Sequence, residues 1–311
     1  MIRNNYRRDA ERIGAALDAF EAEYGALPGI LDPSFREGLI DQIIDSEQRV
    51  AYFARLRGRT LDANSADPGS TSFDPLRASI IHAERGNYDE AVWLVFLFVH
   101  FGRHRLAGWR YVRDVYGRLG DGRLWDWPSV SADPIGFRYW LDDHQQELLA
   151  APGPRGFSNH RKYESLNAWE KTGTGEAFES YVRWILSGGG DHAAFFAQFD
   201  VLDPADRFDA LYRSMSAVAR FGRIARFDYL TTLLKLELVQ LDVPHSYLVG
   251  ATGPLRGAQL LLRGKVGEGL ARDLQRELQV LSQSIGIRGD VMEDAVCNWQ
   301  KSPDAYQRFS G

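Results

Sequence analysis

The chain has 311 residues, 44% of them hydrophobic and 12% aromatic, and a formal net charge of −5. That is enough for a full core in one large domain or two intimate ones, and it excludes a disordered chain. The single cysteine, Cys297, excludes a disulfide framework and a cysteine zinc site within one chain.

The N-terminus lacks an apolar stretch of signal-peptide length, and the longest apolar run, Ala91 to Val99, is about half a membrane span. A cytoplasmic protein with no membrane partner is therefore expected. The charge is uneven. Residues 1–50 hold ten acids and six bases, whereas residues 101–126 hold six arginines and three acids. Only five basic residues are lysine. Such an arginine bias accompanies a GC-rich genome, and it also suits forked gripping of phosphates, so overall acidity leaves room for a local nucleic-acid groove.

In chain order, helices are predicted over 6–24 and 34–58 from their apolar faces, the second opened by a Ser34/Glu37 capping box. Residues 59–73 form a long polar loop. Helices over 74–84 and 87–101 follow, and the second is apolar nearly all round, which places it at the centre of the fold. His100, Gly102, Arg103, His104, Gly108 and Trp109 then sit at a helix break. After a helix over 134–150, the loop 151–164 carries Asn159, His160, Arg161, Lys162 and Tyr163. Further helices are expected over 175–187, 192–199 and 204–220, from 253, over 266–285 and near 290–301. No internal repeat and no run of alternating strands is present, so the class is all-α.

Phosphate-loop, dinucleotide, HExxH and GxSxG motifs are absent, which disfavours NTP-driven chemistry, zinc hydrolysis and serine acyl transfer. His100 and His104 stand at i, i+4 but lack a third ligand nearby in sequence, so capping roles are preferred over a metal. No cofactor is called for. The stretch Ser214–Lys235 contains a break at Gly222 between Arg220 and Arg223, then a helix with Arg226, Asp228, Thr232 and Lys235. An Asp and a Lys on an otherwise apolar helix are paired, neutralised or used.

Three segments, DEAVWLVFLFVHFGRHRLAGW (89–109), GFSNHRKYES (156–165) and FGRIARFDYL through GATGPLRGAQLL (221–262), with EDAVCNWQK (293–301), occur in order. Together they resemble the alpha-glutamyl/putrescinyl thymine pyrophosphorylase family, clade 3, over roughly residues 75–310. The resemblance implies an all-α, two-lobed domain diverged from helix-hairpin-helix DNA glycosylases, here over 75–311, after an N-terminal helical segment over 1–74. It implies a monomeric enzyme acting on double-stranded phage DNA with hypermodified bases. The expected activity is excision of a bulky base such as alpha-glucosyl-hydroxymethylcytosine, without strand cleavage, in phage defence. The rivals are a transferase acting on activated hydroxymethyluracil in DNA and a non-catalytic module that senses modified bases.

On that reading, Phe221–Ala225 resembles a shortened hairpin turn that binds phosphate without the usual proline and first glycine. The Asp usual in that class, further along, is replaced by the region of Thr252 and Gly253. Breaking a base–sugar bond still calls for a carboxylate against the oxocarbenium-like sugar. Asp228 is the first choice, with Asp294 and Glu293 in reserve and Lys235 as its charge partner or a Schiff-base lysine. The flipped base needs faces and edges. Tyr163, Trp109, Tyr229 and Trp299 are candidate faces, and Asn159, His160, Asn298 and Gln300 are candidate edges. Arg103, His104, Arg105, Arg161, Lys162, Arg220, Gly222, Arg223, Arg226 and Arg256 are expected on the DNA backbone.

Overall fold

The computed structural model describes residues 5–150 and 153–308. Among them are fifteen α-helices and no strand, apart from one isolated bridge between His104 and Gly108. The all-α expectation is met. The chain forms two compact units, residues 1–55 with 242–311, and residues 56–241. The N-terminal helices thus group with the C-terminal ones.

The first unit holds α1 (Arg7–Tyr24), most of α2 (Pro33–Arg57), α13 (Gly253–Arg263), α14 (Ala271–Ser284) and α15 (Gly289–Trp299). Ile13, Leu17, Leu39, Ile43, Leu261, Leu278, Met292 and Trp299 bury their side chains in one apolar core. Gly257 lets α13 cross α15 closely, because a Cβ there would lie 2.2 Å from the Val296 carbonyl oxygen.

The second unit is built round α4 (Tyr88–Phe101), which is buried on nearly every side. Its neighbours include α3 (Pro75–Glu84), α5 (Arg110–Tyr116), α6 (Trp127–Ala132), α9 (Thr174–Leu186), α10 (His192–Ala197) and α12 (Arg223–Lys235). Stacked rings fill the centre, with Phe96 and Tyr181 centroids 4.1 Å apart and Phe137 and Phe178 4.2 Å apart.

Asp-Pro pairs set several helix starts. Asp74, Asp133 and Asp203 accept backbone N–H bonds at the heads of α3, α7 (Pro134–Asp143) and α11 (Pro204–Ser214), each with proline at the first turn. The same pairing corrects the head of α2, where Asp32 rather than Ser34 accepts, taking the Ser34 N–H at 2.8 Å. The predicted 134–150 helix divides at His144 into α7 and α8 (Gln145–Ala150). The 266–285 helix begins later, at Ala271, because Gly267 and Gly269 hold left-handed backbone. Residues 110–116, for which the sequence pattern predicts no element, are helical.

Candidate functional site

The last turn of α4 leaves carbonyls without helical partners, and the 156–165 loop supplies donors to them. Ser158 N–H donates to the Phe101 carbonyl at 3.0 Å, and Arg161 Nε donates to the Val99 carbonyl at 2.8 Å. Gly102, at φ 61°, makes this fit. A Cβ there would lie 2.2 Å from Ser158 Oγ. The anchored Arg161 is buried, and its Nη2 reaches Asp228 Oδ2 at 3.1 Å. Two segments 67 residues apart in sequence thus meet in one ion pair.

Asp228 lies on α12, where Ala225, Phe227, Tyr229, Leu230 and Leu233 are buried. Its side chain is 47% exposed, and among the described residues its Oδ1 accepts no hydrogen bond. Thr232 donates to the Asp228 carbonyl at 2.6 Å, which ties the next turn. The cation on Asp228 is therefore Arg161; Lys235, two turns on, is half-buried.

Helix α11 ends at Ser214, short of the predicted residue 220, and is followed by a tight turn at 215–217. Arg220 takes left-handed backbone at φ 66°, and Gly222 stands extended before α12. Among the described residues no side chain caps α12, and a Cβ on Gly222 would meet nothing within 4 Å. Arg220 is used within the protein. Its Nε and Nη2 hold Glu164 at 2.6 and 3.1 Å, and Nη2 also donates to the Tyr163 carbonyl. The hydrogen bond to Glu164 raises its pKa against the opposing effect of burial. This clamp pins the loop to the turn, and nothing in the sequence singled out Glu164.

Around the pair, Asn159, His160 and Lys162 are exposed, and Tyr163 presents its ring to solvent at 79% exposure, with Lys162 Nζ 5.1 Å from its centroid. Arg223 packs over Phe227, and Arg226 over Tyr212. His100 supports the loop from below. Thr174 Oγ1 donates to the Ser165 carbonyl at 2.7 Å, so His100 Nε2–H donates to Thr174 Oγ1 at 3.0 Å. Burial, then the charges of Arg161 and Arg220, push this histidine down to about 3, so it acts as a neutral donor.

Other expected residues fall elsewhere. Tyr229 and Trp299 are fully buried and cannot offer a ring to a base. Tyr229 closes an internal chain instead. Its hydroxyl is 2.8 Å from that of Tyr181, which is 2.9 Å from His192 Nε2, while His192 Nδ1 is 2.6 Å from Asp89. Asn298, Gln300 and Arg256 belong to the other unit. There Asn298 is buried between Asp294 and Lys301, Gln300 donates to the Cys297 carbonyl, and Arg256 is exposed on α13. His104 shapes its own turn, with Nδ1 accepting the Leu106 and Ala107 amides, while Arg103 and Arg105 are exposed.

Trp109 sits in a separate cleft of about 340 Å³ that four arginines line. Its Nε1 donates to Asp74 Oδ2 at 3.0 Å. The arginine-rich run in the sequence signalled part of this cleft, but Arg77, on α3, gave no signal.

Among the described residues, no helix is long and apolar enough to cross a membrane. Comparison with the curated proteins and with the solved structures finds no match. The family model for alpha-glutamyl/putrescinyl thymine pyrophosphorylase clade 3 matches residues 34–311, which is the chain beyond α1 and the turn after it, and the chain belongs to that family.

Proposed function

We propose that the protein is a DNA glycosylase that excises a bulky modified base, alpha-glucosyl-hydroxymethylcytosine in phage DNA, and leaves an abasic site. It acts in phage defence, as a cytoplasmic monomer without a cofactor. The observation that carries this reading is the Asp228–Arg161 pair, in which one carboxylate oxygen is tied to a buried guanidinium and the other, on a side chain 47% exposed, accepts no hydrogen bond among the described residues.

That arrangement suits an oxocarbenium-like sugar. As the C1′–N bond breaks, its electron pair leaves with the base, and the unengaged Oδ1 stabilises the positive charge that develops at C1′. Water then adds to C1′, and its proton passes to the carboxylate or to the departing base. Tyr163, exposed on the loop that Arg161 anchors, offers a face for the displaced base, and Asn159 and His160 offer edges. The uncapped head of α12, with Arg223 and Arg226 on its first turn, suits a backbone phosphate.

The test is incubation of the full chain with glucosylated hydroxymethylcytosine DNA, followed by mass spectrometry of released bases and cleavage by an abasic endonuclease. Base release that Asp228→Asn abolishes is expected. Intact DNA would refute the proposal. Pyrophosphate release from DNA carrying diphosphorylated hydroxymethyluracil would establish the transferase instead. Biological activity retained by Asp228→Asn, with DNA binding intact, would establish a non-catalytic sensor.

A further inference from the structure

The cleft beside Trp109 has a composition that the Asp228–Arg161 site does not use. Arg77, Arg103, Arg110 and Arg113 line it against a single acid, Asp74. That acid is fully engaged. Its Oδ1 accepts the Leu76 and Arg77 amides at 2.9 and 3.1 Å, and its Oδ2 accepts from Trp109. It therefore caps α3 and fixes the indole, and among the described residues it makes no ion pair with a guanidinium, so its one charge stands against four.

The next carboxylate, Asp114, is shared. Its contacts to Arg110 and Arg113 are long, at 3.7 and 3.6 Å, while Arg155 approaches to 3.0 Å. Arg77 and Arg103 are exposed, and neither has a carboxylate partner among the described residues. The cleft thus keeps an excess of positive charge in a concave space. Hydroxyls of Thr71 and Ser72 join the lining.

Forked guanidinium groups match phosphate oxygens in geometry and charge. A phosphodiester in a DNA strand carries one negative charge, whereas a terminal phosphomonoester carries nearly two near neutral pH. The volume is at the small end of the range for small-molecule sites, about 300–1,000 Å³. Trp109, half-buried against Phe98 with ring centroids 5.1 Å apart, offers part of a rigid aromatic wall. From this we infer that the cleft is a binding site for a small phosphomonoester, a nucleotide, with Arg77 and Arg103 gripping its terminal phosphate beside Trp109.

The experiment is isothermal titration of the full chain with thymidine 5′-monophosphate, with thymidine and with a short oligonucleotide lacking terminal phosphates. Saturable binding of the monophosphate is expected, and none of thymidine. Arg77→Gln and Arg103→Gln, both at exposed positions, each weaken binding about tenfold or more, as expected for losing a hydrogen bond between charged groups. Arg123→Gln, on an exposed residue paired with Asp121, leaves binding unchanged. Unchanged melting curves confirm that the variants fold. Three results would each overturn the inference: no binding of the monophosphate, binding insensitive to both arginine variants, or an arginine-dependent site that takes the unphosphorylated oligonucleotide and not the monophosphate. Binding is read without base release, so this outcome is independent of the glycosylase test.

Discussion

Asp228 and Asp294 are both helix-borne acids with a basic partner, and their surroundings differ in one respect. Asp294, on α15, has both oxygens engaged. Oδ2 accepts from Ser46 Oγ and Arg49 Nε, each at 2.8 Å, and Oδ1 accepts from Asn298 Nδ2 at 2.8 Å. Asp228 engages one oxygen with one donor. A carboxylate whose lone pairs all point at neighbouring side chains holds those neighbours in place and has little left for a substrate. One with an oxygen left unengaged on a half-exposed side chain is set by the protein and still available. The contrast favours Asp228 over the Asp294 alternative, although both acids look alike in sequence.

The largest expected effect tests this contrast directly. Asp228→Asn lowers base release about 10²–10³-fold, the loss typical of removing one preorganised electrostatic contact to the transition state. Asp294→Asn leaves release within a few-fold of wild type. Single-turnover rates from mass spectrometry of released base measure both, and the opposite ranking breaks the comparison. Next in size is Arg161→Gln. The Val99 carbonyl loses a buried donor and Asp228 loses its cation, so stability falls by about 1–3 kcal/mol in denaturant titrations. Arg161→Lys restores little, because an ammonium cannot reach both acceptors as the planar guanidinium does.

Much of this was legible in the sequence for physical reasons. An apolar run at 91–99 has to be central, and an Asp on an apolar helix needs a partner. The partner itself was not legible. Lys235 lies two turns along the same helix, but tertiary packing brings Arg161 from a loop 67 residues away. The loop owes its order to donors that satisfy the C-terminal carbonyls of α4, a condition that exists only once the helix ends there. The candidate pocket also drew residues from EDAVCNWQK through likeness alone. That segment packs in the first unit, where Trp299 donates to the Phe35 carbonyl and Asn298 serves Asp294. In the Trp109 cleft, Arg77 and Arg103 come from separate helix ends, and no local pattern joins them.

Glu90 extends the comparison to a third kind of acid, saturated by neutral donors. It is buried, with Oε1 accepting from Tyr116 OH at 2.7 Å and Oε2 from the Trp127 amide at 2.8 Å. Burial raises its pKa to about 7, against these hydrogen bonds, which lower it. The folded value thus lies above the unfolded one. Between the two the native state binds the extra proton, so stability falls as pH rises from the ordinary glutamate range to about 7. The slope reaches at most about 1.4 kcal/mol per pH unit. Glu90→Gln flattens it in urea titrations between pH 4.5 and 8, whatever its pH-independent cost. A wild-type curve that rises through this window, with a slope that Glu90→Gln leaves unchanged, contradicts the assignment.

The smallest effect returns to Asp294. Its side chain and that of Arg49 are 36% and 35% exposed, so water and salt screen the ion pair. Removing it with Asp294→Ala takes an acceptor from Ser46, Arg49 and Asn298, but Arg49 keeps Asp45, and solvent reaches the site and replaces part of the loss. A destabilisation of about 1 kcal/mol is expected. Asp294→Asn should cost less, because its amide oxygen still accepts from one neighbour. Both losses shrink at high salt to the extent that they come from charge rather than shape. If either variant stayed fully stable yet lost base release, saturation of the carboxylate would no longer separate a structural acid from a working one, and Asp294 would have to be read as Asp228 is here.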